Sequence, residues 1–192
     1  MADKETLSIE KIIHTSIEIL NADGLDKLSM RTLASKLNIK AASLYWHFKN
    51  KDELLLYISE YITEQCDYSD ISGTIREKLT TSMIRYRSAL KKIRDGVKIM
   101  ELTPPVTPRR IEIINRIVDS ISSLGVPDSK LFISANILNN YVLAFVADEF
   151  RMNSMNLIDN ELSKSLTNIN IDEEFAKGLD IILDGIEKQK TI

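Results

Sequence analysis

Isoleucine and leucine recur along much of the chain at intervals of three and four residues, which is the spacing of one face of an α-helix. Stripes of this kind occupy residues 9–20, 75–93, 111–124 and 175–186. Period-two alternation between turn residues, which marks a half-buried strand, is absent from the sequence. The pattern therefore predicts an all-α fold.

Residues that end and begin helices divide the N-terminal part of the chain. Gly24 is placed to end the first helix, and Ser29 is placed to cap a second helix over residues 30–37. Asn38 tolerates a left-handed backbone, so it suits a tight turn into a short third helix over residues 41–47. The expected result is two short helices joined by a tight turn.

A fourth helix is expected to follow directly. Asn50, with a glutamate three residues further on, has the spacing of a capping box and would start a linking helix over residues 51–66. The polar stretch 67–73 then interrupts the helical pattern. We therefore expect an N-terminal domain of residues 1–66, which includes the linking helix, and a second domain of residues 67–192.

Prolines and polar residues divide the second domain. Thr107 is placed as an N-cap, with Pro108 at the first helical position. A long helix over residues 129–152 and a last helix over 173–188 are expected further on. Between them, segment 153–171 is rich in asparagine and serine and is ambiguous; we expect a short helix within a mobile connection.

The composition is that of an ordinary globular protein, with 44% hydrophobic and 28% charged residues among 192. The single cysteine, Cys66, excludes an internal disulfide framework and suits a reducing cytosol. The polar N-terminus, MADKETLSIEK, does not have the pattern of a signal peptide. The longest apolar run, residues 141–147, is far shorter than the roughly 20 residues that span a bilayer. We therefore expect a cytoplasmic protein with no membrane partner.

Charge is distributed unevenly along the chain. The net charge is −3, yet the window 27–51 contains six basic residues and no acidic one. The six are Lys27, Arg31, Lys36, Lys40, Lys49 and Lys51. A solvated basic face would explain the charge alone. The predicted pair of short helices favours DNA instead, because such a pair places its second helix in the major groove.

A resemblance strengthens this interpretation. The string LSMRTLASKLNIKAASLYWHFKNKDEL, at residues 28–54, resembles the DNA-binding domain of the TetR family of bacterial transcriptional repressors. Segments 94–99 and 143–148 look like the ligand-binding domain of the tetracycline-repressor branch. The resemblance implies an N-terminal three-helix helix-turn-helix domain followed by a larger helical ligand-binding and dimerisation domain. It also implies a homodimeric repressor that binds a palindromic operator in double-stranded DNA and is released by a small ligand.

The resemblance also assigns residues to the DNA. Positions that contact DNA in the family match Arg31, Lys40, Ala41, Ala42, Ser43, Tyr45, His47 and Lys51. Tyr45 offers a ring to a sugar or a thymine methyl group, and Lys51 lies at a helix N-terminus that favours an anion. Lys40 cannot cap the third helix and opposes its dipole, so we expect its charge to serve DNA binding.

The aromatic residues beside these positions are expected to be structural. Trp46 and Phe48 should pin the short helices to the core. His47 can donate to a phosphate but could instead be a structural histidine.

Dimerisation is expected to use the long helix and the last helix. In the family the matching pair forms a four-helix bundle across the two-fold axis. Apolar residues wrap widely around the last helix at positions 181–186, which fits that use. A larger intramolecular core is the alternative.

The second domain is expected to bind the effector. The candidate ligand-binding residues are Tyr86, Met100, Leu102, Pro105, Asn140 and Asp148. Tyr86, Asn140 and Asp148 carry polar groups on otherwise apolar helix faces, and such groups need hydrogen-bond partners. A ligand is one possible partner, and a residue of another helix at the dimer surface is the alternative. Met100 stands where the tetracycline branch carries a metal-binding histidine, so we expect an apolar or aromatic effector and no metal or cofactor.

Enzymatic activity is not expected. The six glycines are too dispersed for a phosphate-binding loop, and two histidines with one cysteine do not form a common zinc site. The alternative to a regulator is a helical small-molecule-binding or catalytic scaffold whose DNA-binding motif is unused. If the protein is a regulator, segment 103–108 is the candidate for the turn that changes conformation when the effector binds.

Overall fold

The computed structural model describes residues 7–155 and 170–189, and the side chains of all of these except 153–155. These residues form nine helices and no strand, so the all-α prediction is confirmed. The helices are α1 (Ile9–Asp23), α2 (Met30–Lys36), α3 (Ala41–Leu44), α4 (Lys51–Glu64), α5 (Ile75–Lys92), α6 (Gly96–Leu102), α7 (Pro108–Ser123), α8 (Asp128–Met155) and α9 (Ile171–Glu187).

The helix signals near the N-terminus are confirmed. Gly24 has φ +81° and donates its N–H to the Leu20 carbonyl at 2.8 Å, which ends α1. The Ser29 hydroxyl accepts from the Thr32 N–H at 3.0 Å at the start of α2, and Asn38 has φ +53° in the turn after it.

The third helix is shorter than predicted. It ends at Leu44 and is followed by a single closing turn, in which the N–H groups of His47 and Phe48 both bond to the Leu44 carbonyl at 2.9 Å. This turn brings Phe48 into the core, where it is 1% exposed.

Two further caps were predicted, with different outcomes. The Asn50 side chain accepts from the Glu53 N–H at 2.9 Å, which confirms Asn50 as the cap of α4. The Glu53 carboxylate accepts from the N–H of Lys49, one residue before the donor that a capping box uses. Helix α7 begins at Pro108 as predicted, but the hydroxyl of Thr107 is buried and forms no hydrogen bond with any of the described residues. The prediction that Thr107 caps α7 through its side chain is therefore wrong; the fixed φ of proline suits the first helical position without it.

The C-terminal helices extend slightly beyond their predicted bounds. Helix α8 continues to Met155, and α9 begins at Ile171, where the Asn170 side chain accepts from the N–H of Asp172 at 3.2 Å. The short helix expected within 153–171 falls on residues 156–169, which lie outside the described residues.

Packing divides the chain into two compact units. One, here called the N-terminal unit, consists of Met1–Glu64 and Ala89–Arg110; the other, the C-terminal unit, consists of Gln65–Ser88 and Ile111–Ile192. Residues 89–110 thus pack with the N-terminal helices. The functional division predicted after residue 66 stays a prediction.

In the N-terminal unit, the turn between α5 and α6 holds the loop after α1. Asp95 has φ +62°, and its carboxylate accepts from the Leu25 N–H at 2.7 Å. The Asn21 side chain donates to the Lys92 carbonyl at 3.1 Å and accepts from the Arg94 N–H at 2.8 Å. The start of α6 is thereby tied to the segment that leads into α2.

In the C-terminal unit, α8 and α9 approach each other closely. The Tyr141 hydroxyl donates to the Phe175 carbonyl at 2.9 Å, and the two rings are stacked with centroids 5.4 Å apart. A Cβ atom at Gly178 would overlap the Tyr141 hydroxyl, so a larger residue there would displace the Tyr141 side chain.

A polar network holds the start of the same unit. The Tyr68 hydroxyl donates to the Arg116 carbonyl at 2.8 Å, and Asp67 forms an ion pair with the Arg116 guanidinium. Burial alone would raise the pKa of Asp67, but hydrogen bonds from the backbone and side chain of Ser69 and the charge of Arg116 outweigh it and lower the pKa from 3.8 to about 2. The carboxylate is therefore more acidic in the folded chain.

Candidate nucleic-acid interface and effector site

Helices α2 and α3 pack through inward residues that are fully buried. Leu33 and Leu44 are both 0% exposed, and Phe48 lies edge-on to the Tyr57 ring with centroids 5.1 Å apart. Leu44 and Phe48 are one helical turn apart and both point inward. The residues between them are therefore available to solvent.

The solvent side of α3 carries most of the predicted DNA-contacting residues. Lys40 precedes α3 in an extended conformation and makes no capping hydrogen bond, as its chemistry predicts. Exposed residues are Arg31, Lys40, Ala42 and Tyr45; half-buried ones are Ala41, Ser43, His47 and Lys51. The structure thus brings the predicted set together around α2, α3 and the start of α4.

Trp46 is the residue of this surface that the sequence interpretation misplaced. Its side chain is 90% exposed, so the prediction that it belongs to the core is wrong, whereas the same prediction for Phe48 is confirmed. The spacing of Leu44 and Phe48 was the available signal, because two buried residues four apart leave positions 45 and 46 outside. A tryptophan exposed to this degree is unusual and marks a candidate binding residue.

The basic residues of window 27–51 separate into two groups. Lys36 pairs with Glu18 at 3.2 Å, and the Lys51 amino group donates to the Leu25 carbonyl at 2.8 Å. The other four are exposed and form no ion pair within residues 7–155 and 170–189: Lys27, Arg31, Lys40 and Lys49. These four supply the uncompensated positive charge that a phosphate backbone requires.

The predicted effector residues fall equally in the two units. In the N-terminal unit Met100 is buried, while Leu102 and Pro105 are exposed. In the C-terminal unit Tyr86 is buried and its hydroxyl donates to the Asn139 side chain at 3.3 Å.

The other two candidates, Asn140 and Asp148, are exposed on α8. Asn140 accepts from the Asn139 amide at 3.1 Å, and Asp148 pairs with Arg151 on the surface. Both lie off the inward face of α8, which other residues of the helix fill. Those residues are Leu138, Val142, Val146 and Glu149. Their role towards a ligand stays a prediction.

A groove in the N-terminal unit was not foreseen from the sequence. It has a volume of about 610 Å³ and runs between the first turns of α4 and the end of α6. Its lining residues are Lys49, Asn50, Asp52, Glu53, Leu55, Leu56, Leu102, Thr103 and Pro104. Of the predicted effector residues it includes Leu102.

A buried ion pair in the C-terminal unit was also missed. Arg87 of α5 binds both carboxylate oxygens of Glu149 at 2.8 and 2.7 Å, and its third nitrogen lies 2.7 Å from Asp172. Its guanidinium carbon lies 5.3 Å from the ring centroid of Phe145 and 4.8 Å from that of Phe175. The pKa of Arg87 is raised, chiefly by its hydrogen bonds to Glu149, so the guanidinium remains charged inside the unit.

Among the residues that the structure describes, helix α8 presents a large exposed apolar surface. Exposed apolar side chains on α8 and α9 are Phe132 (73%), Ile133 (52%), Ile137 (45%), Phe150 (43%) and Ile181 (71%). By length and composition alone, Asp128–Met152 would also suit a membrane span, with a mean hydropathy of 1.3 and 22% of its most apolar window buried. The longest uninterrupted apolar run in this helix is short, because asparagine and serine interrupt its apolar residues.

Two family models match the chain. Residues 12–58 match the model of bacterial regulatory proteins of the tetR family, and residues 69–159 match the model of the tetracyclin repressor-like C-terminal domain. Together the matches cover more than half of the chain.

One curated relative and two solved structures give the scale of the similarity. The tetracycline repressor protein class D of Escherichia coli is 37% identical over 102 residues, which are 52% of this chain and 47% of the relative. The matched region thus spans about half the length of such relatives. A structure of BioQ with its natural double-stranded DNA operator has a TM-score of 0.72 and 26% identity, covering 95% of this chain and 99% of that one. The Streptomyces coelicolor TetR family protein ActR in complex with actinorhodin has a TM-score of 0.77 and 25% identity, covering 94% and 96%.

Proposed function

Because this chain belongs to the TetR family of bacterial regulatory proteins, with a tetracycline-repressor-like second domain, we propose that it is a transcriptional repressor that a small molecule releases from DNA. The observation that carries the proposal is the exposed surface around α3, where uncompensated cations surround Tyr45 and Trp46. BioQ, which shares the fold over nearly its full length, is bound to its operator DNA. We assign no enzymatic activity to the chain and place its action in the cytoplasm, where the operator is accessible.

DNA recognition is assigned to the residues around α3. Arg31, Lys40 and Lys51 neutralise phosphates, and Ser43, Tyr45 and His47 contact phosphates or base edges. Ala41 and Ala42 offer methyl groups to thymine. We add Trp46 to this set, since its indole ring is fully presented to solvent.

A homodimer is the proposed DNA-binding form. One recognition helix reads few base pairs, and two related by a two-fold axis reach successive major grooves about 34 Å apart. The exposed apolar residues of α8 and α9 supply a surface for a second copy. The same face of α8 also exposes Asn136 and Asn140, and Asp148 lies further along, which favours a protein partner over lipid.

The effector is proposed to be an apolar or aromatic small molecule. Tyr86, Met100, Leu102, Pro105, Asn140 and Asp148 are the residues that we assign to it. ActR, bound to actinorhodin, shows that a protein of this fold can hold a small molecule. Release follows if the effector binds better to a conformation whose recognition helices are wrongly spaced for DNA, with a coupling of about 1–3 kcal/mol.

The test is selection of duplex DNA from a random pool by the purified protein, followed by gel shift at several salt concentrations. We expect enrichment of a palindrome bound by two copies. Lys40→Ala should lower the slope of log affinity against log salt by about 1, whereas Lys188→Ala, at the far end of the chain, should leave it unchanged.

Lys51→Ala distinguishes two roles of that amino group. A slope lowered by about 1 would support a phosphate contact. An unchanged slope with weaker binding would assign Lys51 to holding the Leu25 carbonyl alone. Failure to enrich any duplex would refute the repressor and favour a scaffold with an unused motif.

A further inference from the structure

Arg110 joins three segments of the N-terminal unit. It lies in the first turn of α7 and is 6% exposed. Its Nη1 atom is 2.9 Å from the Thr103 carbonyl, 3.2 Å from the Pro104 carbonyl, 3.3 Å from the Thr103 hydroxyl and 3.0 Å from the Ser59 hydroxyl. One nitrogen with two hydrogens is therefore shared among four oxygens.

The acceptors belong to the end of α6 and the middle of α4. Thr103 follows the last residue of α6, where carbonyls lack helical donors and carry partial negative charge. The Thr103 hydroxyl donates to the Ile99 carbonyl at 2.7 Å, and the Ser59 hydroxyl donates to the Leu56 carbonyl at 2.7 Å. Both hydroxyls thus have their protons engaged and present lone pairs to Arg110.

Local helix preference does not explain an arginine at this position. The N-terminal turn of a helix favours acidic residues, and a guanidinium there opposes the helix dipole. Burying a charged group adds a desolvation penalty. An arginine that breaks both preferences and binds the end of another helix is suited to a positioning role.

We propose that Arg110 is a positioning residue, which holds the turn 103–107 and the end of α6 against α4 in the DNA-binding conformation. Helix α4 follows the recognition element directly, so its placement governs that of α3. Leu102 and Pro105, two of the proposed effector residues, flank Thr103 and Pro104. An effector that contacts this turn acts on the same carbonyls that Arg110 binds.

This inference rests on the proposed function and specifies how the same site is regulated. The principal variant is Arg110→Met, which keeps much of the side-chain volume and removes the donors. Arg109→Met is the matched control, because Arg109 is adjacent, partly exposed, and lies 3.8 Å from Glu64. Affinity is measured by gel shift on the duplex that the wild-type protein enriches, and backbone hydrogen exchange is measured without DNA.

We expect Arg110→Met to weaken DNA binding about tenfold, within the usual range of allosteric coupling, and to increase exchange in residues 99–107. Arg110→Lys should restore part of the affinity, since an ammonium can still bond to one or two of the oxygens. Ser59→Ala should weaken binding less, and adding it to Arg110→Met should have no further effect, because the two residues act through one contact.

Wild-type affinity and wild-type exchange in a folded Arg110→Met protein would overturn the inference. If that variant does not fold, the milder Ser59→Ala decides: unchanged affinity and unchanged exchange at the end of α6 would overturn it equally. If the wild-type protein enriches no duplex, the proposed function fails, and the exchange measurements alone still show whether Arg110 fixes the turn.

Discussion

Replacing Glu149 by glutamine removes the charge that compensates Arg87 inside the C-terminal unit while preserving the volume of the side chain. The side chains of Arg87 and Glu149 are 8% and 6% exposed, so water cannot replace the lost partner. Breaking a buried pair by removing one member typically costs about 3–5 kcal/mol of folding free energy. Asp172 still lies 2.7 Å from the guanidinium but is 81% exposed, which places the expected loss near the lower end, about 3 kcal/mol.

A double variant separates the charge effect from packing. Arg87→Met combined with Glu149→Met leaves two apolar side chains beside the rings of Phe145 and Phe175, which sulfur contacts favourably. We expect the free energy of unfolding of this double variant to be within about 1 kcal/mol of the wild-type value, or higher, because replacing a whole buried ion pair by apolar residues is often neutral. Asp148→Asn is the matched control on the same helix, since its ion pair with Arg151 is exposed and contributes about 1 kcal/mol or less.

The assay is urea unfolding followed by far-ultraviolet circular dichroism at two protein concentrations, because association would couple to stability. The reasoning is refuted if Glu149→Gln lowers the free energy of unfolding by less than about 1 kcal/mol, or if the double variant is as unstable as Glu149→Gln.

Three further predictions concern separate parts of the molecule. Trp46 is the only tryptophan, so its fluorescence should change when the enriched duplex binds; an unchanged spectrum at saturating DNA would place α3 away from the duplex. The pKa of Asp67 is lowered to about 2, so the stability advantage of the wild type over Asp67→Asn should be full above about pH 4 and disappear towards pH 2; urea unfolding that shows an equal difference at pH 6 and pH 2 would contradict this. Phe132→Glu should give a monomer by light scattering, whereas Ile84→Glu, also at an exposed apolar position, should not; a dimeric Phe132→Glu protein would exclude α8 as the interface.

The parts of the fold that the sequence predicted are those set by local chemistry. Gly24, Ser29 and Asn38 act through their own backbone or through residues three or four positions away, so their roles are visible in a short window. Asn50 and Glu53 likewise act within a window of a few residues. These signals, with the helical stripes, were sufficient to place α1, α2 and α4.

What the sequence could not supply depends on contacts between distant segments. Arg87 and Glu149 are 62 positions apart, and each resembles an ordinary solvated charge until α5 and α8 are packed together. The contact between Arg110 and Ser59, 51 positions away, is hidden in the sequence for the same reason. Trp46 was misplaced because apolar character suggests burial, whereas burial is decided by which side of α3 faces the core.

The uncovered face of α8 has a consequence for how the protein behaves in a cell. In the proposed homodimer, Phe132 and its apolar neighbours become shielded when two chains meet, so the species that would occupy an operator forms in proportion to the square of the chain concentration when chains are scarce. Occupancy of the operator then responds steeply to how much of the protein is made. Gene dosage, and not the effector alone, would set the level of expression at which the regulated gene is silenced.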